Sequence, residues 1–241
     1  MKGRRPDLSA LEREILRAAE RARVDAQEIA DRLRGDAQAA AEQLRQEAIA
    51  AGERVKDEAP RKAIHLTMIV IPLAILYLPL PLVRWVLVFF GILLIVVDLF
   101  KIHDARWRAY FKRFFGKLIR GHEETGITGS TYMIVSALLA TYLFTPPVAA
   151  AALVFLIVGD TLAAMVGKAF GRVPLFGKSL EGFLAGFVSS FVAAWLLVPS
   201  LPWTAVLAAA LAGSIVEIAP IPVDDNFRIP LVAGLVLQWL V

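Results

Sequence analysis

After Pro60 the chain is a succession of apolar runs, at about residues 64–81, 83–101, 130–145, 147–168, 183–198, 203–218 and 228–241. An α-helix satisfies its own backbone hydrogen bonds, so a helix of about 17 to 25 apolar residues can exchange water for lipid. Several of these runs are short. With 58% apolar residues and a mean hydropathy of +0.63, the chain nevertheless reads as an all-α, polytopic membrane protein with about seven transmembrane helices.

The first 60 residues are different in kind. They hold 12 basic and 13 acidic side chains, leaving 14 basic and 9 acidic for the rest, so the excess positive charge belongs to the membrane part. From Leu8 to about Val55 helix formers dominate without proline, and Leu8, Leu11, Ile15, Ile29, Leu33, Leu44 and Ile49 recur at helical but weakly periodic spacing. A solvated helical arm is expected. Homodimerisation through the arm is the weaker alternative, because no strict heptad seam is kept up. The domain organisation is therefore a charged cytoplasmic helical arm over 1–60 and a transmembrane domain over 61–241 that carries the chemistry. The N-terminus lacks a short apolar core followed by small residues, so it does not read as a cleavable signal and the first apolar run should stay as an anchor. There is no cysteine, which excludes disulfides, thiolate metal sites and cysteine nucleophiles.

The connections around Pro79, Pro146 and Pro199 are tight and nearly uncharged, whereas 101–127 carries Lys101, Arg106, Arg108, Lys112, Arg113, Lys117 and Arg120, and 168–182 carries Lys168, Arg172 and Lys178. By the positive-inside rule the basic loops, the arm and the loop at Asp224 are cytoplasmic, and the C-terminus ends outside. Within 103–120, Trp107, Tyr110, Phe111, Phe114 and Phe115 share a helical face opposite the basic residues, the pattern of an interfacial amphipathic helix.

The polar segments fall on that one side. Asp160 lies inside an apolar run, where an unpaired carboxylate costs about 2.5 to 3.5 kcal/mol, so it needs a partner such as a divalent cation or a wet cavity. Gly177, Lys178 and Ser179 allow backbone approach to a phosphate, a point charge and a helix cap, although Gly171 to Gly177 spans one residue too many for a Walker loop. Glu181 supports that cap or holds a metal. Asp224, Asp225 and Asn226 offer hard oxygen ligands for Mg²⁺, a base for an alcohol proton, or a helix cap. Thr128, Gly129 and Thr131, and Arg61, Lys62 and His65, mark two further polar helix starts.

Taken in order, Arg61-Lys62 with His65, Glu124 to Tyr132, Gly159 to Gly182, and Asp224-Asp225-Asn226 with Pro230 resemble the dolichol kinase and phytol kinase family, over about residue 61 to the C-terminus. The resemblance implies an enzyme that uses CTP to phosphorylate a membrane lipid alcohol such as a polyprenol, dolichol or phytol. Related CTP-dependent diacylglycerol kinases share the pattern, so the acceptor stays open. It further implies Mg²⁺ and CTP as cofactor and donor. Asp160, Lys178, Asp224 and Asp225 would be catalytic, and Asp160, Glu181, Asp224, Asp225 and Asn226 would lie at the metal. Arg61, Lys62, His65, Thr128, Gly129, Thr131, Gly177, Lys178, Ser179 and Gly182 would surround the nucleotide. The partners expected are the membrane and a lipid alcohol, and not a nucleic acid. Phosphatidate cytidylyltransferases look similar across Gly159 to Gly182 but carry a C-terminal glycine-rich acidic signature that this chain lacks. A transporter with Asp160 and Glu217 on an ion path is the remaining alternative, and no internal repeat supports it.

Overall fold

The computed structural model describes residues 8–56, 58–116, 118–119 and 121–241. The chain divides into two compact units, Met1–Ala50 and Ala51–Val241. Most of the first belongs to α1 (Leu8–Val55), a 48-residue helix whose side chains from Arg32 to Ala50 are all exposed, Leu33, Leu44 and Ile49 included. A helix that is polar all round relies on pairs one turn apart. Arg32 bonds Glu28 at 2.6 Å and Gln46 bonds Glu42 at 2.7 Å. The side chains of Leu8, Leu11, Ile15 and Ile29 lie outside the described residues, as do Lys117 and Arg120.

The second unit holds α2 (Ala59–Thr67), α3 (Val70–Tyr77), α4 (Leu80–His103), α5 (Ala105–Phe115), α6 (Gly129–Leu143), α7 (Pro146–Val154), α8 (Thr161–Phe170), α9 (Leu180–Leu197), α10 (Trp203–Ile218) and α11 (Asp225–Leu240). A π-helical turn, Phe155–Asp160, joins α7 to α8 without a break. A hairpin of two-residue strands, β1 (Pro174–Leu175) and β2 (Lys178–Ser179), joins α8 to α9. Every expected apolar run is helical. Among the described residues, however, only Ala59–Tyr77, Leu80–His103, Pro146–Phe170 and Leu180–Leu197 are long and apolar enough to cross a membrane. The helices α6, α10 and α11 have 15 or 16 residues, about 24 Å at most against a hydrocarbon core of about 30 Å, so four of the seven expected spans stand as candidates by length and composition.

Pro146–Phe170 is the axis of the fold. Its most apolar window is 78% buried, against 17–22% for the other three, and α3, α6, α9, α10 and α11 all pack on it. Val148 to Val154 are fully enclosed, which small residues such as Ala149 to Ala152 permit. The outer helices turn apolar side chains outward, among them Trp85, Phe89 and Phe90 of α4, as a surface facing lipid would. Proline shapes α11. Pro230 has no N–H to give to the carbonyl of Asn226, and the buried hydroxyl of Ser136 donates to that carbonyl instead, at 2.8 Å.

The amphipathic segment forms α5, which ends at Phe115 rather than at residue 120. Asp104 caps it by accepting from the backbone of Arg106 and Trp107, at 2.7 and 3.4 Å. Trp107, Tyr110 and Phe114 are exposed, whereas Arg108 turns back to donate to the last carbonyls of α4, Lys101 at 3.1 Å and Ile102 at 2.7 Å.

Helices α8 and α9 approach closely because glycine faces alanine. A Cβ on Gly186 would lie 2.9 Å from the Ala163 Cβ and 3.1 Å from the Gly159 carbonyl oxygen. Gly186→Leu should therefore destabilise the bundle by about 1 to 3 kcal/mol, read as a lower melting temperature in detergent. An unchanged melting temperature would contradict this packing.

Candidate active site

The site begins with an ion pair across two helices. The first turns of α2 place Lys62 inward, 3% exposed, where its ammonium donates to the Asp160 carboxylate and, at 3.1 Å, to the Asp160 carbonyl. Asp160 is the last residue of the π-helical turn and is 6% exposed. One turn along α2, His65 Nε2 lies 3.7 Å from the same carboxylate, and no hydrogen-bond partner reaches that buried nitrogen. The depth argument for Asp160 thus holds, and the partner it finds within the chain is a lysine.

A second set of pairs surrounds this one. Glu58, just before α2, accepts from both Arg61 and Lys168. Burial pushes the Glu58 carboxyl up, but those two cations outweigh it and hold the group below its usual range. Lys178, at the foot of β2, reaches Glu217 at 3.0 Å and Asp225 at 3.3 Å. Burial draws its pKa down, and the two carboxylates more than restore it, so Lys178 stays charged through the neutral range. Arg228 completes the group by donating to Asp225 and, at 2.7 Å, to the Ala219 carbonyl.

Glu58, Arg61, Asp160, Lys168, Lys178, Glu217 and Asp225 border a cavity of about 540 Å³, within the range that holds drug-sized ligands. Arg61, Lys168, Arg172 and Lys178 supply positive charge and Glu58, Asp160, Glu217 and Asp225 negative charge. The floor is small, with Ala163, Ala164, Gly167 and Gly171 of the α8 region facing Gly182 of α9, and Val173, Pro174 and Phe183 form an apolar wall. Ser179 starts α9 by accepting from the Gly182 backbone at 3.1 Å, and Gly177 turns the hairpin at a φ of 84°.

Of the residues expected at a nucleotide, Arg61, Gly177, Lys178, Ser179 and Gly182 line the cavity, and Lys62 and His65 stand behind Asp160. Thr128, Gly129 and Thr131 do not line it. Thr131 donates to the buried Asp98 carboxylate at 2.6 Å, the Thr128 backbone does so at 2.9 Å, and Asp98 is paired with Lys101 at 2.7 Å. Where phosphate oxygens were expected, those hydroxyls face a carboxylate, and the Gly129 amide donates to Glu123 at 3.3 Å.

The expected metal residues also divide. Asp160 and Asp225 line the cavity. Glu181 instead accepts from the Val173 backbone at 3.3 Å. Asp224 caps α11, accepting from the Asn226 backbone at 2.9 Å and its amide side chain at 2.7 Å. No three His, Asp or Glu side chains among the described residues are grouped to hold a metal by themselves.

The sequence pattern left Glu58, Lys168 and Arg172 unassigned. Glu58 lies on the arm's side of the boundary at residue 60, and in the sequence the two cations read only as topology markers. Their spacing of four residues, in step with Gly167 and Gly171, was the available signal.

No known protein-family model matches the chain, and no solved structure does. An uncharacterized protein of Rickettsia prowazekii is 27% identical over 180 residues, 71% of this chain and 88% of that protein. CTP-dependent diacylglycerol kinase 1 of Saccharomyces cerevisiae is 26% identical over 117 residues, 47% of this chain. The chain covers 40% of the yeast kinase, a distant similarity that suggests CTP-dependent lipid kinases at most.

Removing one partner of a buried pair leaves an uncompensated charge. Lys62→Met should cost about 3 to 5 kcal/mol in detergent denaturation, and Lys62→Met with Asp160→Leu should recover most of it. Equal losses in the single and double variants would contradict the pairing.

Proposed function

We propose that the chain is a CTP-dependent kinase of a membrane lipid alcohol, acting where the cavity meets the membrane surface, with the basic loops and the arm on the cytoplasmic side and the C-terminus outside, an orientation in which α6, α10 and α11 cross the bilayer as well. The observation that carries this is the composition of the cavity, in which cations and carboxylates are already paired with one another. A polyphosphate accompanied by a divalent cation can enter such a site by exchange of partners. Its phosphates take Lys168, Lys178 and Arg61, its cation takes the carboxylates, and no buried charge is left alone. The distant likeness to a CTP-dependent diacylglycerol kinase supports CTP as the donor.

Asp160 is the cavity residue that fits Mg²⁺, which leaves Asp225 for the acceptor proton. That ion binds through one or two carboxylates and takes its other oxygens from phosphate and water. When bound it would offset charge on the phosphoryl group in flight. The residues of the chain do the rest. Lys178 and Arg61 hold the terminal phosphate, and the small floor lets the chain approach it closely. The lipid hydroxyl oxygen forms its bond to the terminal phosphorus as the bond to the bridging oxygen breaks and CDP leaves. Asp225 receives the hydroxyl proton, because Asp224 is committed to its helix cap. Positioning and charge, rather than covalent catalysis, carry the rate.

The test is transfer from CTP by the purified protein with Mg²⁺ over phytol, polyprenols, diacylglycerol and phosphatidate, with label on the terminal or the innermost phosphate. Terminal label in an alcohol is expected. Innermost label in lipid with release of pyrophosphate would make the chain a cytidylyltransferase, and no transfer would remove the enzyme assignment. Asp160→Asn and Lys178→Met should each lower turnover by about 100-fold or more. Turnover within a few-fold of wild type in either would contradict the assigned roles.

A further inference from the structure

The hairpin between α8 and α9 carries an apolar residue where turns of its kind carry polar ones. Pro174 pairs with Ser179 and Leu175 with Lys178, which leaves Phe176 and Gly177 as a two-residue turn with φ of 48° and 84°. Positive φ at both positions is the hairpin geometry that Asn-Gly and Asp-Gly fill without strain. A bulky side chain in the left-handed region is a backbone outlier, and such outliers concentrate at functional positions. Phe176 is 71% exposed, so packing within the chain does not compensate the strain. Val173 beside it is 50% exposed and Phe170, at the end of α8, 57%.

The position of the hairpin identifies what covers this tip. Phe170 ends one candidate membrane span and Leu180 begins the next. The strands are two residues long, so at about 3.3 Å per residue the turn extends no more than roughly 10 Å beyond the helix ends. That is the depth of the headgroup layer, where aromatic side chains settle.

We propose that the Phe176 turn is a membrane-interface anchor, inserted among the lipid headgroups of the bilayer that holds the helices. Val173, Pro174 and Gly177 of the same hairpin line the cavity. The anchor therefore sets one cavity wall at the level of a lipid hydroxyl, a consequence that rests on the proposed kinase activity, whereas the insertion itself does not.

The chain has no native cysteine, so Phe176→Cys gives a unique thiol for a polarity-sensitive dye. The labelled full-length protein, reconstituted in phosphatidylcholine–phosphatidylglycerol vesicles, is compared with dye on Glu42→Cys of the exposed α1 helix. Dye at 176 should be quenched by phospholipid spin-labelled near the headgroup and shielded from iodide, with the reverse at 42. Iodide quenching at 176 equal to that at 42 would overturn the anchor. So would shielding that arises only after a lipid alcohol is added, since the occupant would then be a substrate chain. For the consequence, Phe176→Asp should lower transfer to a bilayer-embedded acceptor by about tenfold or more relative to Phe176→Leu, while both act equally on a short-chain alcohol in detergent. Equal transfer to the embedded acceptor would overturn it. Lipid quenching without any phosphoryl transfer would leave the anchor standing and remove the kinase.

Discussion

The pairing of Lys62 with Asp160 is the interaction on which the arrangement depends. Each charge is nearly sealed from water, and each alone would be expensive there. Together they tie α2, which follows the charged helical arm, to the midpoint of the most buried helix. The π-helical turn that ends at Asp160 locally widens the backbone where the two meet, a local irregularity often found at working sites. With α2 fixed in this way, Arg61 and Glu58 are delivered to the cavity rim, and Lys168 is held through Glu58.

The cavity is therefore a closed charge circuit before any ligand enters it. Lys178 is shared by Glu217 and Asp225, and Arg228 holds Asp225 in turn. Such a site resists a bare anion, which would strand carboxylates, and also a bare cation, which would strand lysines. The ligand proposed above, a nucleotide with its divalent ion, would exchange partners with charges of both signs. The glycine and alanine contacts of α8 with α9 serve the same end, since they keep the floor low while the cations converge above it.

Much of the fold was legible in the sequence because apolar length is a strong signal: each helix lies within a few residues of its apolar run. The number of spans was less legible, because α6, α10 and α11, at 15 or 16 residues, are apolar but shorter than a helix that crosses a bilayer upright. In the site, residues whose cost in lipid demands explanation were found, Asp160 above all. Glu217 met the same criterion inside α10 and entered only as part of an ion path. Thr128 and Thr131 are the opposite case. Their spacing resembles an anion-binding helix start, but the buried Asp98 from α4 occupies the hydroxyls, and no local pattern announces a partner about 30 residues away. Phe176 was invisible, since an exposed phenylalanine becomes informative only once its backbone angle is known.

The most direct measurement is the position of nucleotide cross-linking. A photoreactive CTP analogue is bound to the purified protein with Mg²⁺, and the modified peptides are mapped by mass spectrometry with excess CTP as competitor. Competed modification within residues 160–183 or 217–228 is the expected result. Modification confined to residues 123–132 at the start of α6, or modification that excess CTP does not reduce, would contradict the assignment of this cavity as the nucleotide site.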